Sequence, residues 1–241
     1  MKVALLIAGE WRSHEIAFKS WKPIMHLNPD VYISTWNISE EYSLPLGIDI
    51  KREITETYIS TLFHKSKISV NELVPYSSRF AKMLHNWRIC LQMMIQSEIQ
   101  YDSVILIRPD LYINPVGGKF YQTVFRPTAN TVYSITDDPS YIQDQIFVSQ
   151  QKEICKFVPN LETNLHGFEY SINGHVWLGN YLRDQGLKSD KIGGFDSNHL
   201  SSRFCIVRAN CVNEDADSFE KIRYKAKIWW EINNPGLIYQ G

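Results

Sequence analysis

The sequence predicts an α/β protein built on a mostly parallel central sheet, and three observations predict it. Val3–Ala8 and Val104–Ile107 are short, unbroken apolar runs, the pattern of strands buried on both faces. Asp30–Trp36, DVYISTW, is rich in β-branched and aromatic residues, so strand, helix and strand follow one another early in the chain. Such a βαβ start implies parallel pairing. Phe80, Leu84, Trp87, Leu91 and Met94 recur at helical spacing and mark the core face of a helix over Arg79–Gln100, which delivers the chain into the central strand.

Composition narrows the class. A chain of 241 residues suits one α/β domain with a substantial core, and no Gly/Ser-rich linker, low-complexity tract or repeat divides it. The formal net charge is −1 with no concentrated basic block in the first two thirds, which argues against nucleic acid as a partner. Cys90, Cys155, Cys205 and Cys211 lack metal-ligand spacing and read as reduced, partly buried thiols. The opening apolar run is too short for a signal peptide and is followed by Glu10 and Arg12. No stretch approaches the roughly 18 apolar residues that span a bilayer. A cytoplasmic protein is expected.

The elements follow in order. Gly9-Glu10-Trp11-Arg12 turns off the first strand. Ser13 is placed to cap a helix through about Trp21, with Pro23 ending it. Asn37–Asp49 reads as loop, and Ile50–Leu62 as a strand and a short helix. Pro75 closes that segment, and Ser77 or Ser78 caps the long helix. Met83, Met93 and Met94 fill core rather than bind a cofactor. Beyond the central strand come a turn at Gly117-Gly118 and a strand at Thr131–Ile135. Asp137-Asp138-Pro139 is a turn signal. Tyr141–Gln150 is an apolar, strand-like stretch entered through Asp144-Gln145, and Ser149 opens a helix through Phe157. Val176–Gln185 is a helix stopped by Gly186, followed by a polar loop at Lys188–Ser197 and a late strand, Phe204–Val207, with Arg208 at its end. In the tail, Lys221–Ile232 mixes basic and aromatic residues, a pattern that packs on the body of a domain or lies on an anionic membrane.

Two strand ends carry chemistry. Val104–Ile107 runs into Arg108-Pro109-Asp110, where proline stops the strand. An arginine and a carboxylate are thereby held at the carboxyl end of a buried strand, the edge at which open α/β sheets bind ligands. Gly9 and Arg12 stand at the end of the first strand, where glycine permits close backbone approach. The plain alternatives are a strand-end ion pair and an ordinary strand-to-helix turn.

Taken in order, Gly9-Glu10-Trp11-Arg12, Asp30–Trp36, Arg108-Pro109-Asp110 and Asp144-Gln145-Ile146-Phe147 resemble small bacterial and viral glycosyltransferases of the GT-A type, which build surface polysaccharides or virion glycans. In these, a Gly-x-x-Arg turn often follows the first strand, and the Asp-x-Asp site at the donor diphosphate is often written Arg-x-Asp. The resemblance implies a GT-A-like, Rossmann-type central sheet flanked by helices in a single domain over residues 1–241. Residues 1–115 would bind the nucleotide sugar, and 116–241 would form the acceptor side and tail. It implies transfer of a sugar from a nucleotide-diphosphate sugar to a glycan or glycolipid acceptor. Gly9, Arg12, Arg108 and Asp110 would bind the donor.

The leaving diphosphate needs positive charge beside it. In one version Asp110 holds Mn²⁺ or Mg²⁺, with a histidine such as His166 or His175 as a further ligand. In the other, Arg108 and Arg12 supply the charge without metal. The first is the expectation. An inverting enzyme also needs a general base, for which Asp144 and then Glu169 are the candidates. Two alternatives remain: a non-catalytic nucleotide- or glycan-binding module, and a sugar nucleotidyltransferase, for which the first turn is poor in glycine.

Overall fold

The computed structural model describes residues 1–12, 14–43, 48–73, 79–113, 118–135, 142, 145–157, 174–192 and 204–206. Its centre is strand β1 (Val3–Ala8), every residue of which is buried. A strand apolar at both odd and even positions needs cover on both faces. Val3, Leu5 and Ile7 point into one core cluster, and Ala4, Leu6 and Ala8 into the other.

The first cluster is closed by segments that follow β1 and β4. They are α1 (His14–Ala17), a 3-10 turn at Phe18–Ser20, α2 (Lys22–Met25) and α3 (Glu56–Leu62), which follows a hairpin of β3 (Ile38–Ser43) and β4 (Ile48–Glu53). Pro23 lies in the first turn of α2 rather than ending a longer helix, because a missing backbone donor costs nothing there. β3 lies in the stretch expected to be loop, whereas most of β4 and all of α3 fall where a strand and a short helix are expected.

The second cluster is closed by α4 (Arg79–Ile95), which presents Leu84, Trp87, Leu91 and Met94 to the sheet. Phe80 packs against the same cluster, half-buried. Burying those four side chains contributes roughly 6–12 kcal/mol as an upper estimate. Met83 and Met93 pack against this cluster too, as core filling.

The seven-stranded sheet runs β10-β8-β9-β6-β1-β2-β5. Here β2 is Asp30–Trp36, β5 Ser66–Asn71, β6 Ser103–Ile107, β8 Thr131–Ser134, β9 Ile146–Ser149 and β10 Lys188–Lys191. The pairs β1–β2, β1–β6, β2–β5 and β8–β10 are parallel, whereas β9 runs antiparallel to both its neighbours. The chain is thus the expected α/β protein with a mostly parallel central sheet flanked by helices. The remaining cover is α5 (Gly118–Phe125) on the first face, and α6 (Gln151–Phe157) and α7 (Gly174–Asp184) on the second.

Two edge strands, β5 and β10, lie where the sequence predicts none. Lys188–Lys191, KSDK, is polar throughout, and its backbone pairing with β8 rather than any apolar pattern makes it a strand. Within the described residues, β11 (Phe204–Ile206) pairs antiparallel with β7 (Leu111–Ile113) in a small separate sheet, setting Ile206 opposite Leu111.

Candidate functional site

The order of strands locates the crevice. From β1 the chain builds outward to β2 and β5. It then returns through α4 to place β6 on the other side of β1. Strand order reverses between β1 and β6, and ligands of open α/β sheets bind outside the carboxyl ends of the strands at such a point. The register pairs Ile7 with Ile107, so the turns leaving both strands start side by side.

Each turn has a local reason for its shape. Gly9 adopts φ +131°, a conformation that side chains with a Cβ rarely take, while its N–H donates to the Ser34 carbonyl at 3.1 Å. A Cβ on Gly9 would stand 3.5 Å from Pro109 Cδ, so the two turns pack directly on each other. At the end of β6, the Arg108 N–H donates to the Gln145 carbonyl at 3.1 Å, and the Leu111 N–H donates back to the Arg108 carbonyl at 3.3 Å. Pro109 takes the second position of that tight turn, which suits its fixed φ.

The turns bring two arginines onto one carboxylate. Arg108 donates from Nε to Asp110 Oδ1 at 3.0 Å and from Nη2 to Oδ2 at 2.9 Å, a bidentate fork. Arg12 Nη2 donates to the same Oδ2 at 3.3 Å, and its Nη1 pairs with Glu10 Oε2 at 3.0 Å. Exposure differs sharply along this chain of charges: Asp110 is fully buried, whereas the Glu10 side chain is 23% exposed. Arg12 Nε is buried without a hydrogen-bond partner.

This geometry does not fit a cation on Asp110. Both carboxylate oxygens already accept from guanidinium groups, and an ion bound there would have to displace or adjoin them. Two unit charges about 4 Å apart near a protein surface interact by ~4 kcal/mol, and a divalent ion beside a guanidinium is opposed by roughly twice that. Among the described residues, no group of three or more His, Cys, Asp or Glu side chains is placed to hold an ion. His175, a candidate further ligand, donates from Nδ1 to the Ile142 carbonyl at 2.9 Å, while its own carbonyl accepts the Ile142 N–H at 3.1 Å. In this arrangement Asp110 is the counter-ion of two arginines.

Neighbouring groups stiffen the crevice. With the Trp11 carbonyl accepting from Nδ1 at 3.0 Å, His14 carries its proton there, and Nε2 accepts from the Tyr58 hydroxyl at 2.7 Å. Buried His14 thus fixes the backbone between Glu10 and Arg12. Trp21 Nε1 donates to the Leu111 carbonyl at 2.7 Å, tying the helical segment after β1 to the strand after Asp110. Beneath Gly9, Ser34 Oγ donates to Asn86 Oδ1 at 2.7 Å, and Asn71 Nδ2 reaches both Ser34 Oγ and Asn86 Oδ1 at 3.0 Å. These bonds lock β2, β5 and α4 together at the same edge. Beside them His85 stacks on Trp36 at 5.0 Å, and burial, with Arg88 nearby, lowers its pKa from the usual histidine value.

Four of the expected donor residues, Gly9, Arg12, Arg108 and Asp110, therefore come together. Asp144, Glu169, His166, Arg208 and the 221–232 segment lie outside the described residues. Glu10 belongs to no motif of its own in the sequence, although a carboxylate two positions before an arginine in a tight turn is a natural partner for it. The Ser34–Asn71–Asn86 network carried no sequence signal, because its members lie far apart in the chain and single polar residues are common. No helix among the described residues is long and apolar enough to cross a membrane.

No protein-family model matches the sequence, and none of the curated proteins matches it. Solved structures show loose likeness. The glycosyltransferase GlyE of Streptococcus pneumoniae is 12% identical, with a TM-score of 0.42 over 78% of this chain and 44% of GlyE. The mannosyltransferase PcManGT of Pyrobaculum calidifontis, solved with GDP-Man and Mn²⁺, is 9% identical, with a TM-score of 0.45 over 79% and 54%. A 4-diphosphocytidyl-2C-methyl-D-erythritol synthase is 10% identical, with a TM-score of 0.49 over 93% and 98%. The chain spans about half the length of the first two. Likeness at this level carries no argument about activity, and the functional reading rests on the chain's own residues.

Proposed function

We propose that the chain is a glycosyltransferase that moves a sugar from a nucleotide-diphosphate sugar to a glycan or glycolipid acceptor. One observation carries the reading: at the point where strand order reverses, the turns after β1 and β6 pack together and hold two guanidinium groups beside a glycine whose backbone approaches closely. A donor diphosphate is an anion that such a crevice suits, because guanidinium pairs with phosphate in the same planar fork it makes with a carboxylate.

In transfer, the bond between the anomeric carbon and the diphosphate oxygen breaks, and the acceptor oxygen bonds to that carbon. The acceptor's proton passes to a base, and the nucleoside diphosphate leaves with the bonding electrons. Arginine beside the leaving oxygen stabilises the charge that develops there. In an inverting course, Asp144 is our first choice of base and Glu169 the second, with residues 116–241 forming the acceptor side. The basic aromatic 221–232 segment would supply any contact with a membrane surface.

Incubation with UDP-, GDP-, dTDP- and CMP-sugars, following release of the free nucleotide with and without glycan acceptors, tests the reading. Release from one nucleoside class, accelerated by an acceptor, is expected. Tight binding of a sugar nucleotide without turnover would instead favour a non-catalytic module, and failure to bind any of them would remove the donor assignment.

A further inference from the structure

We propose that the diphosphate is gripped by guanidinium groups alone. Arg12 and Arg108 take it without a divalent cation, Asp110 holds them in position, and Glu10 is the side chain that gives way. The inference rests on the donor reading above and adds how the charge is neutralised.

Among the described residues these four side chains are formally neutral together: two carboxylates face two guanidinium groups. An incoming diphosphate must therefore exchange with a carboxylate rather than fill an empty positive pocket. The two carboxylates are not equivalent. Asp110 is fully buried and accepts three bonds from two arginines, so removing it would strip both guanidinium groups of a shared counter-ion. Glu10 has an ion pair to Arg12 and keeps 23% of its side chain exposed, so water can solvate it once it swings out.

Its departure frees an Arg12 edge at the mouth of the crevice. Arg12 Nε, buried and without a partner, adds a donor that the protein itself leaves unsatisfied. Glu10 thus occupies the place of an anion, and Asp110 is a positioning residue that holds both guanidinium groups at the crevice. A cation has no place in this scheme, because both Asp110 oxygens already face guanidinium groups that would repel it.

Calorimetry on the full chain with UDP, GDP and dTDP tests the proposal, each in EDTA, Mn²⁺ and Mg²⁺. The nucleotide that binds is expected to do so equally, within about twofold, in all three. Glu10→Gln should tighten binding at least threefold, since the competing charge is gone. Arg108→Lys should weaken it at least tenfold, because lysine lacks the planar fork, and adding Mn²⁺ should not restore it. Asp110→Asn should weaken it likewise, with a thermal melt confirming that the variant is folded. Should Asp110→Asn fail to fold, the EDTA comparison on the unmodified chain and the partly exposed Glu10→Gln change still decide the matter. Binding that appears only with Mn²⁺ or Mg²⁺, or a Glu10→Gln protein that binds more weakly, overturns the proposal while leaving the donor reading intact. No binding of any nucleotide under any condition removes both.

Discussion

Gly9 offers a sharp test, because its backbone and its surroundings make separate demands. At φ +131° an alanine is strained by roughly 1–3 kcal/mol. The new methyl would stand 3.5 Å from Pro109 Cδ, an ordinary contact, so crowding adds little. Relief of the strain requires φ to turn back, which would swing the Glu10–Arg12 turn off Pro109 and carry Arg12 away from Asp110. Gly186 is the matched control. It sits at φ +68° after α7, where the Leu187 N–H donates to the Leu182 carbonyl at 3.0 Å and that of Gly186 to Arg183 at 2.9 Å, a helix-ending motif that wants glycine. A Cβ there meets nothing within 4 Å, and alanine costs about 1–2 kcal/mol. For a domain of this size each kcal/mol lowers the melting temperature by roughly 2–4 °C. Both alanine variants should therefore melt several degrees early by circular dichroism. Only Gly9→Ala should also lose nucleotide affinity, by about tenfold, or ~1.4 kcal/mol, in calorimetry. A Gly9→Ala protein that melts with the wild type would show that the turn does not need its positive φ. Equal loss of affinity in both variants would show that the effect is global rather than local.

Two further changes probe the edge of the crevice. Asn86→Ala removes the acceptor shared by Ser34 Oγ and Asn71 Nδ2 in a buried setting, and should cost about 2–4 kcal/mol in urea unfolding; a cost under 0.5 kcal/mol would mean that water replaces the amide. His85 has its pKa held below the usual 6.5 by burial and by Arg88, so the unfolded chain gains a proton at a higher pH than the folded one. Stability should fall as pH drops from 6.5 toward the lowered folded value and level off beneath it. His85→Gln should lose less stability than wild type between pH 7.5 and 5.5, and an equal loss would assign the pH dependence elsewhere.

The parts of the fold that could be read from sequence are those whose burial writes itself into composition. β1, β2 and β6 are apolar or β-branched because both faces are covered, and α4 shows its stripe because one face meets the sheet. The strands that escaped are edges. β5, SKISVN, keeps most of its residues half-exposed, and β10, KSDK, has no apolar residue, so nothing in either run demands a strand. Their identity comes from a neighbour's unpaired backbone, which no local pattern records. The antiparallel course of β9 is equally silent, since a buried strand reads the same in either direction.

At the site, sequence named the residues and missed their relation. Arg-Pro-Asp places a guanidinium and a carboxylate two positions apart across a proline turn, and that spacing alone allows Arg108 to reach outward to a ligand or to fold back on Asp110. In the structure Arg108 forks onto Asp110, and a residue nearly a hundred positions away joins it there. Arg12 arrives beside Asp110 because Ile7 pairs with Ile107, and that register becomes visible only once β1 and β6 are neighbours. With a second arginine on it, the carboxylate is a shared counter-ion, and Glu10 is the acidic group nearest solvent in the chain of charges. An arginine at position 108 therefore does more than remove one possible ligand from an Asp-x-Asp pair. It turns the remaining aspartate into the anchor that holds two cationic side chains at the carboxyl edge where strand order reverses.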